Sequence, residues 1–156
     1  MVSIGSQFVL KSFDDNAKSL GVMIKGIDHI GVAVSNIDEA MVFWVNTLGL
    51  TYLRTEDVPE QKVRVAILAA GKATIELLEP TSADSPVQKF LDKHGEGLHH
   101  LAFATAKLAV HLEALKAANV GLIDEKPRTG AGGAQMAFVH PKSAHGVLIE
   151  LCERHD

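Results

Sequence analysis

The stretch "GIDHIGVAV", residues 26–34, decides how this chain reads, because a close copy returns as "GLHHLAFAT", residues 97–105. In both, a glycine, an apolar residue and a polar residue precede a histidine and a short apolar strand. His29 falls on His100, and Asp28 on His99. The correspondence continues outward through a helix of about three turns and a glycine followed by a new apolar run. It closes where "GKATIELLEP" (71–80) matches "GVLIELCE" (146–153), which sets Glu76 on Glu150. Two halves therefore carry one pattern of strand, helix and strands.

Local signals support the repeat. Asn36 with Glu39 three residues on has capping-box spacing, Ile37, Met41, Trp44, Val45 and Leu48 recur at helical spacing, and Gly49 can supply a left-handed cap. The matching helix carries Leu108, Leu112 and Leu115 and is expected to end near Gly121. Ser85-Pro86 suits the start of a short helix with Val87, Phe90 and Leu91 inward. The expected organisation is a first module over 23–80, a linker with a short helix over 81–96, and a second module over 97–156. Residues 1–22 match no export or organelle signal and read as a leader or extension outside the fold, with an edge strand around Phe8 to Leu10 as the alternative.

Side chains alternate faces along a strand. His29, Gly31 and Ala33 thus share one side, and His100, Ala102 and Ala104 share one side of the matching strand. A histidine backed by very small residues lines a space rather than fills one. Glu76 and Glu150 stand among apolar strand neighbours, where an unpaired carboxylate is costly. Taken singly, each histidine is a hydrogen-bonded core residue and each glutamate an edge charge. Placed twice by one repeat, the four make a two-histidine, two-glutamate set suited to a divalent cation, with water completing the shell. His29, Glu76, His100 and Glu150 are the expected ligands, and His99 a supporting neighbour.

Composition bounds the rest. The 156 residues are 47% hydrophobic with a net charge of −4 and interspersed signs, which argues against nonspecific nucleic-acid binding. No run reaches the roughly 18 to 20 apolar residues of a membrane-spanning helix. The single Cys152 excludes an intrachain disulfide and points to a reducing compartment, the cytoplasm. In "EKPRTGAGGAQMAFVHPKSAHG" (125–146), the glycines around Gly132 can turn backbone amides toward an anion, with Lys126, Arg128 and Lys142 adding charge. An ordinary long hairpin connection is the plainer reading of that stretch.

From about Lys25 to Glu153 the chain resembles the methylmalonyl-CoA epimerases of the vicinal oxygen chelate superfamily, through "IDHIGVAV", "PEQKVRVAIL", "IELLEPT", "GEGLHHLAF" and above all "HPKSAHGVLIEL". The resemblance implies an α+β fold of paired βαβββ modules whose curved mixed sheet surrounds a metal-binding cavity. It further implies a homodimer and one divalent metal per chain, cobalt first, with magnesium, manganese, nickel or zinc as alternatives. The implied reaction is epimerisation at C2 of methylmalonyl-CoA through an enolate, with Glu150 transferring a proton as well as binding metal. Some members use a second glutamate just beyond the "PEQ" segment, where this chain has Val65; Glu60 or Gln61, or a water or the substrate carboxylate, then stand as candidates for the other proton transfer. A glyoxalase I-like isomerase and a nonenzymatic small-molecule binding module of the same fold are the competing expectations.

Overall fold

The computed structural model describes residues 24–155, so the expectations for the first 22 residues lie outside the described residues. The first unit comprises β1 (Ile24–Ala33), α1 (Ile37–Met41), β2 (Thr51–Val58), β3 (Val63–Ala70) and β4 (Ala73–Pro80). Helix α2 (Pro86–His94) leads to the second: β5 (Gly97–Thr105), α3 (Leu108–Ala117), β6 (Arg128–Thr129), β7 (Gln135–Val139) and β8 (Ile149–Glu153). All strands join one eight-stranded mixed sheet in the order β2-β3-β4-β1-β5-β8-β7-β6. From its centre outward, the sheet has the same strand sequence on both sides. β1 runs parallel to β4 and β5 parallel to β8, while β1 and β5 pair antiparallel.

Alternation gives the sheet two unlike faces. Val32, Val34, Ala66, Leu68 and Leu77 pack against Ile37, Met41 and Trp44 of the first helix, and Ala137, Val139 and Leu151 against Leu108 and Leu112 of α3. The opposite face carries His29, Glu76, His100 and Glu150, all buried, together with Val63, Val65 and Leu78. The helices therefore leave this inner face free to line a cavity.

The first helix departs from the expected periodicity. Val42–Thr47 winds as a π-helix, with the Leu48 amide bonded to the Phe43 carbonyl five residues back. Each wide turn holds an extra residue and rotates the side chains beyond it. Leu48, expected inward, is 54% exposed, and Leu50 packs on the core instead. Gly49 takes the expected positive φ, and the Leu50 amide closes the turn on the Trp44 carbonyl. α3 likewise stops at Ala117, with Asn119 rather than Gly121 in the left-handed conformation.

Each helix is tied to the last strand of its own unit. Glu79 accepts from the Ile37 amide at 2.6 Å and Glu153 from the Leu108 amide at 2.7 Å. A carboxylate there satisfies an otherwise orphan donor and meets the positive end of the helix. Hydrogen bonds to charged groups contribute about 1.5 to 3 kcal/mol. Glu79→Ala and Glu153→Ala should each lower the unfolding free energy in urea by about that amount, and the losses should add in the double variant because the sites are remote. Losses below about 0.5 kcal/mol would show the ties to be incidental.

Candidate metal centre and its cavity

Strand register assembles the site in two rows. Gly31 pairs with Glu76 on one side and with His100 on the other, so these three stand in line across β4, β1 and β5. Ala102 pairs with His29 on one side and with Glu150 on the other, across β1, β5 and β8. In each row the central residue is small because the space above it is taken. A Cβ on Gly31 would sit 2.3 Å from Cε1 of His100.

The rows bring three donor atoms to one place, with a Glu76 oxygen beside them. The two histidine Nε2 atoms are 3.0 Å apart; His29 Nε2 lies 3.4 Å from Glu76 Oε2 and 3.7 Å from Glu150 Oε2, and His100 Nε2 lies 3.2 Å from Glu150 Oε2. Cis ligands bonded at about 2.1 Å stand about 3.0 Å apart at right angles and about 3.4 Å apart at the tetrahedral angle. These separations are those of atoms that can share a small divalent cation.

The ring orientations agree. His29 Nδ1 is 2.7 Å from Asp28 Oδ1, and His100 Nδ1 is 2.9 Å from His99 Nδ1. Burial, and then the charge of His100, push His99 down to about 4, so it is a neutral acceptor for the His100 ring N–H. Each Nδ1–H is thus engaged and each Nε2 is left to bind, the arrangement that metal-ligating histidines use. Arg154 holds Asp28 through two bonds of 2.8 and 2.9 Å. Although burial opposes ionisation of Asp28, Arg154 and His29 keep it well below the usual carboxylate range.

Charge in the cluster is unbalanced in the direction a cation would correct. Burial disfavours a charge on His29, yet Asp28, Cys152, Glu150 and Glu76 outweigh it and push its pKa up to about 12. Against the same burial, His100 and His29 hold Glu150 down at about 2. Burial pushes Glu76 up and the Glu150 charge adds to the rise, with only partial relief from His29. Glu76 Oε1 is buried without a hydrogen-bond partner. An orphan carboxylate oxygen beside a second carboxylate is costly unless positive charge is supplied. His29, His100 and Glu150 form a candidate metal-binding group, and Glu76 stands beside it, 3.4 Å from His29 Nε2.

The cluster floors a cavity of about 420 Å³. Val58, Val63, Val65 and Leu78 supply an apolar wall on the first unit's side, and Phe138 packs edge-on against His100. Val65 is almost fully buried and brings no polar group. Glu60 and Gln61 both line the cavity; Glu60 is exposed, and the half-buried Gln61 donates to the Thr129 carbonyl at 3.4 Å. Arg128 also lines it and is paired with Asp124 at 2.8 Å. Gly132 takes φ 66° beside the guanidinium groups of Arg54 and Arg154. Lys126 and Lys142 are not among the lining residues, although Lys89 and Lys93 of α2 are.

Two functional residues escape the sequence reading. Arg154 follows Glu150 by four positions, so strict alternation places it on the cavity face. Asp28 has no such signal: a register shift between Ile27 and His29 inserts it as an extra residue opposite β5, and the bulge turns it toward its own neighbour.

The glyoxalase/bleomycin resistance protein/dioxygenase superfamily model matches residues 28–138, and the doubled βαβββ sheet with its buried His/Glu cluster is a fold and site of that class. The uncharacterized protein YqjC of Bacillus subtilis is 52% identical over 81% of this chain and 91% of its own length. The mitochondrial methylmalonyl-CoA epimerase of Bos taurus is 33% identical over 80% of this chain and 72% of its own. A solved methylmalonyl-CoA epimerase of Streptomyces coelicolor, in complex with 2-nitronate-propionyl-CoA, is 38% identical with a TM-score of 0.83 and covers 86% of this chain and 100% of that one. Within its superfamily, the chain belongs to the methylmalonyl-CoA epimerase family.

Gly31→Ala should displace the His100 ring and weaken divalent-cation binding, and Asp28→Asn should weaken it by removing charge behind His29. Each loss is expected at about 10- to 100-fold by competition titration, the usual effect of disturbing groups around a metal. Unchanged affinity in Gly31→Ala would show that the Gly31–His100 contact does not position a ligand.

Proposed function

We propose that this chain interconverts the C2 epimers of methylmalonyl-CoA, with a divalent cation held by His29, Glu76, His100 and Glu150. The observation that carries the reading is the convergence of two imidazoles and two carboxylates at the floor of an apolar cavity. Its support from relatives is the Streptomyces coelicolor epimerase bound to 2-nitronate-propionyl-CoA. A nitronate is a planar anion, similar in shape and charge to the enolate formed when C2 loses its proton.

When bound, the cation supplies positive charge for the thioester and carboxylate oxygens that flank C2, where electron density accumulates. The chain's own groups do the rest. Glu150 turns Oε2 toward the histidines, and its other oxygen is the one we assign to accept the C2 proton. Asp28, Arg154 and His99 hold both rings still, so that geometry is set before substrate arrives. Val63, Val65 and Leu78 line the first unit's side with hydrocarbon, and Glu76, the carboxyl on that side, we assign to the cation. The proton returned to the opposite face of C2 therefore comes from the Glu60 carboxyl or a water held by Glu60 and Gln61 at the mouth.

We assign cobalt as the preferred cation, because a mixed nitrogen and carboxylate set suits borderline divalent metals, with magnesium, manganese, nickel or zinc as alternatives. A homodimer is supported by the exposed apolar Val42, Phe43 and Tyr52 on neighbouring elements. Among the described residues no helix is long and apolar enough to cross a membrane, and the free buried Cys152 supports a cytoplasmic assignment.

The test follows solvent deuterium into C2 of methylmalonyl-CoA together with loss of stereochemical purity. The cation-loaded protein should do both, and Glu150→Gln should slow exchange by about 10²- to 10⁴-fold, the usual contribution of a positioned proton-transfer group. Neither exchange nor epimerisation after reconstitution with several cations would sink the activity. Turnover of a glutathione hemithioacetal in its place would move the chain to the glyoxalase I-like reading.

A further inference from the structure

We infer that a second hollow, behind the metal cluster, binds a small oxyanion of the phosphate class between Arg54, Lys72 and Arg154. The inference goes beyond the proposed reaction and needs from it only the cation at the cluster. The repeat itself makes this hollow, as the mate of the cavity in front. Leu148, two residues before Glu150, lines the cavity, and Thr74, two residues before Glu76, lines the hollow. Phe138, paired with Glu150, and Ile67, paired with Glu76, divide in the same way, as do His99 and its mate Asp28. Glu76 and Arg154 border both spaces and so stand between them.

The mates differ in chemistry. The wall of the front cavity is mostly apolar, whereas the hollow, about 350 Å³, is bordered by three cationic side chains and Thr74. Arg54 Nη2 and Arg154 Nη1 lie 3.0 and 3.3 Å from the point that a Gly132 Cβ would occupy, so the two guanidinium groups are neighbours. Like charges held that closely are costly unless negative charge comes between them. The chain's own carboxylates supply only part of it. Asp28 is spent on Arg154, Arg54 meets Glu56 at 3.4 Å with its side chain half exposed, and among the described residues Lys72 forms no ion pair. Two guanidinium forks and an ammonium are a donor set suited to phosphate-like oxygens. The group that opposes an anion is Glu76, whose unpartnered Oε1 lies 4.0 Å from Arg154 Nη2. With a divalent cation at the cluster, that carboxylate is neutralised from its other side. The hollow is then electropositive, and cation and oxyanion each strengthen the other's binding.

The test is calorimetric titration of the full chain with sulfate as the phosphate-like probe. One sulfate should bind per cobalt-loaded chain, about fivefold or more tighter than to the cation-free protein, the lower end of ordinary coupling between sites. Arg54→Ala/Lys72→Ala, which removes two exposed side chains, should weaken sulfate by about tenfold or more, the scale of losing charge-assisted contacts. Lys126→Ala/Lys142→Ala should bind sulfate as wild type does, and so should wild type saturated with propionyl-CoA. No saturable sulfate binding, equal binding in the Arg54/Lys72 variant, or equal binding with and without cobalt would each overturn the inference. Displacement of sulfate by propionyl-CoA would also overturn it, because the anion would then sit in the substrate cavity. Sulfate binding is read without turnover, so a chain that exchanges no C2 proton but binds sulfate in this pattern sinks the epimerase and keeps the hollow, whereas C2 exchange without such binding does the reverse.

Discussion

The antiparallel pairing of β1 with β5 is the constraint on which the molecule turns. It places Gly31 under His100 and Ala102 beside His29, and so drives two imidazoles to within 3.0 Å of each other. Two imidazoles at that distance need a proton or a cation between their facing nitrogens, and the nearby carboxylates are costly to bury without positive charge. A shared cation would turn that cost into bonds. The hydrophobic clusters on either side are separate, and the β1–β5 ladder that joins them carries the buried polar groups a cation would neutralise. Site and fold are consequently one problem, since a residue that shifts the register of β1 against β5 moves every donor.

Much of this was legible in the sequence because its signals are local and doubled. Strand alternation put His29 with Gly31 and His100 with Ala102, and the repeat paired Glu76 with Glu150; the observed register realises those pairings on one sheet. What stayed hidden depends on breaks in periodicity or on segments remote in the chain. The π-helical turns moved Leu48 outward, although its spacing fits a regular helix. The bulge at Asp28 broke the alternation that would have kept it away from His29. The glycine turn was read as an anion site from its own composition, but its surroundings come from remote residues of both signs, Glu56, Asp57 and Glu60 on one side and Arg54 and Arg154 on the other. No window on the turn alone contains that information. Conversely, Lys89 and Lys93 look like ordinary solvent-facing lysines until α2 is laid along the cavity.

The donor set is nearly symmetric, whereas its support is not. His29 leans on a carboxylate that is itself clamped by Arg154, and His100 leans on the neutral ring of His99. A carboxylate behind an imidazole raises its basicity more than a neutral acceptor does. The two rings therefore donate unequally, although the repeat placed them alike. The carboxylates diverge in the same way. Glu150 stays ionised between two histidines, while Glu76 sits where burial and Glu150 oppose its charge.

That divergence is what lets a duplicated fold perform a directional step. Two equivalent halves can make a cation site but cannot distinguish the faces of a carbon bound beside it. Here one half contributes Glu150, which stays ionised, and the other contributes Glu76, whose charge burial opposes, beside the hydrocarbon of Val63, Val65 and Leu78. With Glu150 in its proposed role, proton removal at C2 would have a defined side. In the proposed mechanism its return falls to a group near the cavity mouth, where Glu60 is exposed. Chelation at the floor would then hold the two oxygens that flank C2 and so present that carbon to Glu150, with orientation rather than a dedicated pocket setting the side of attack.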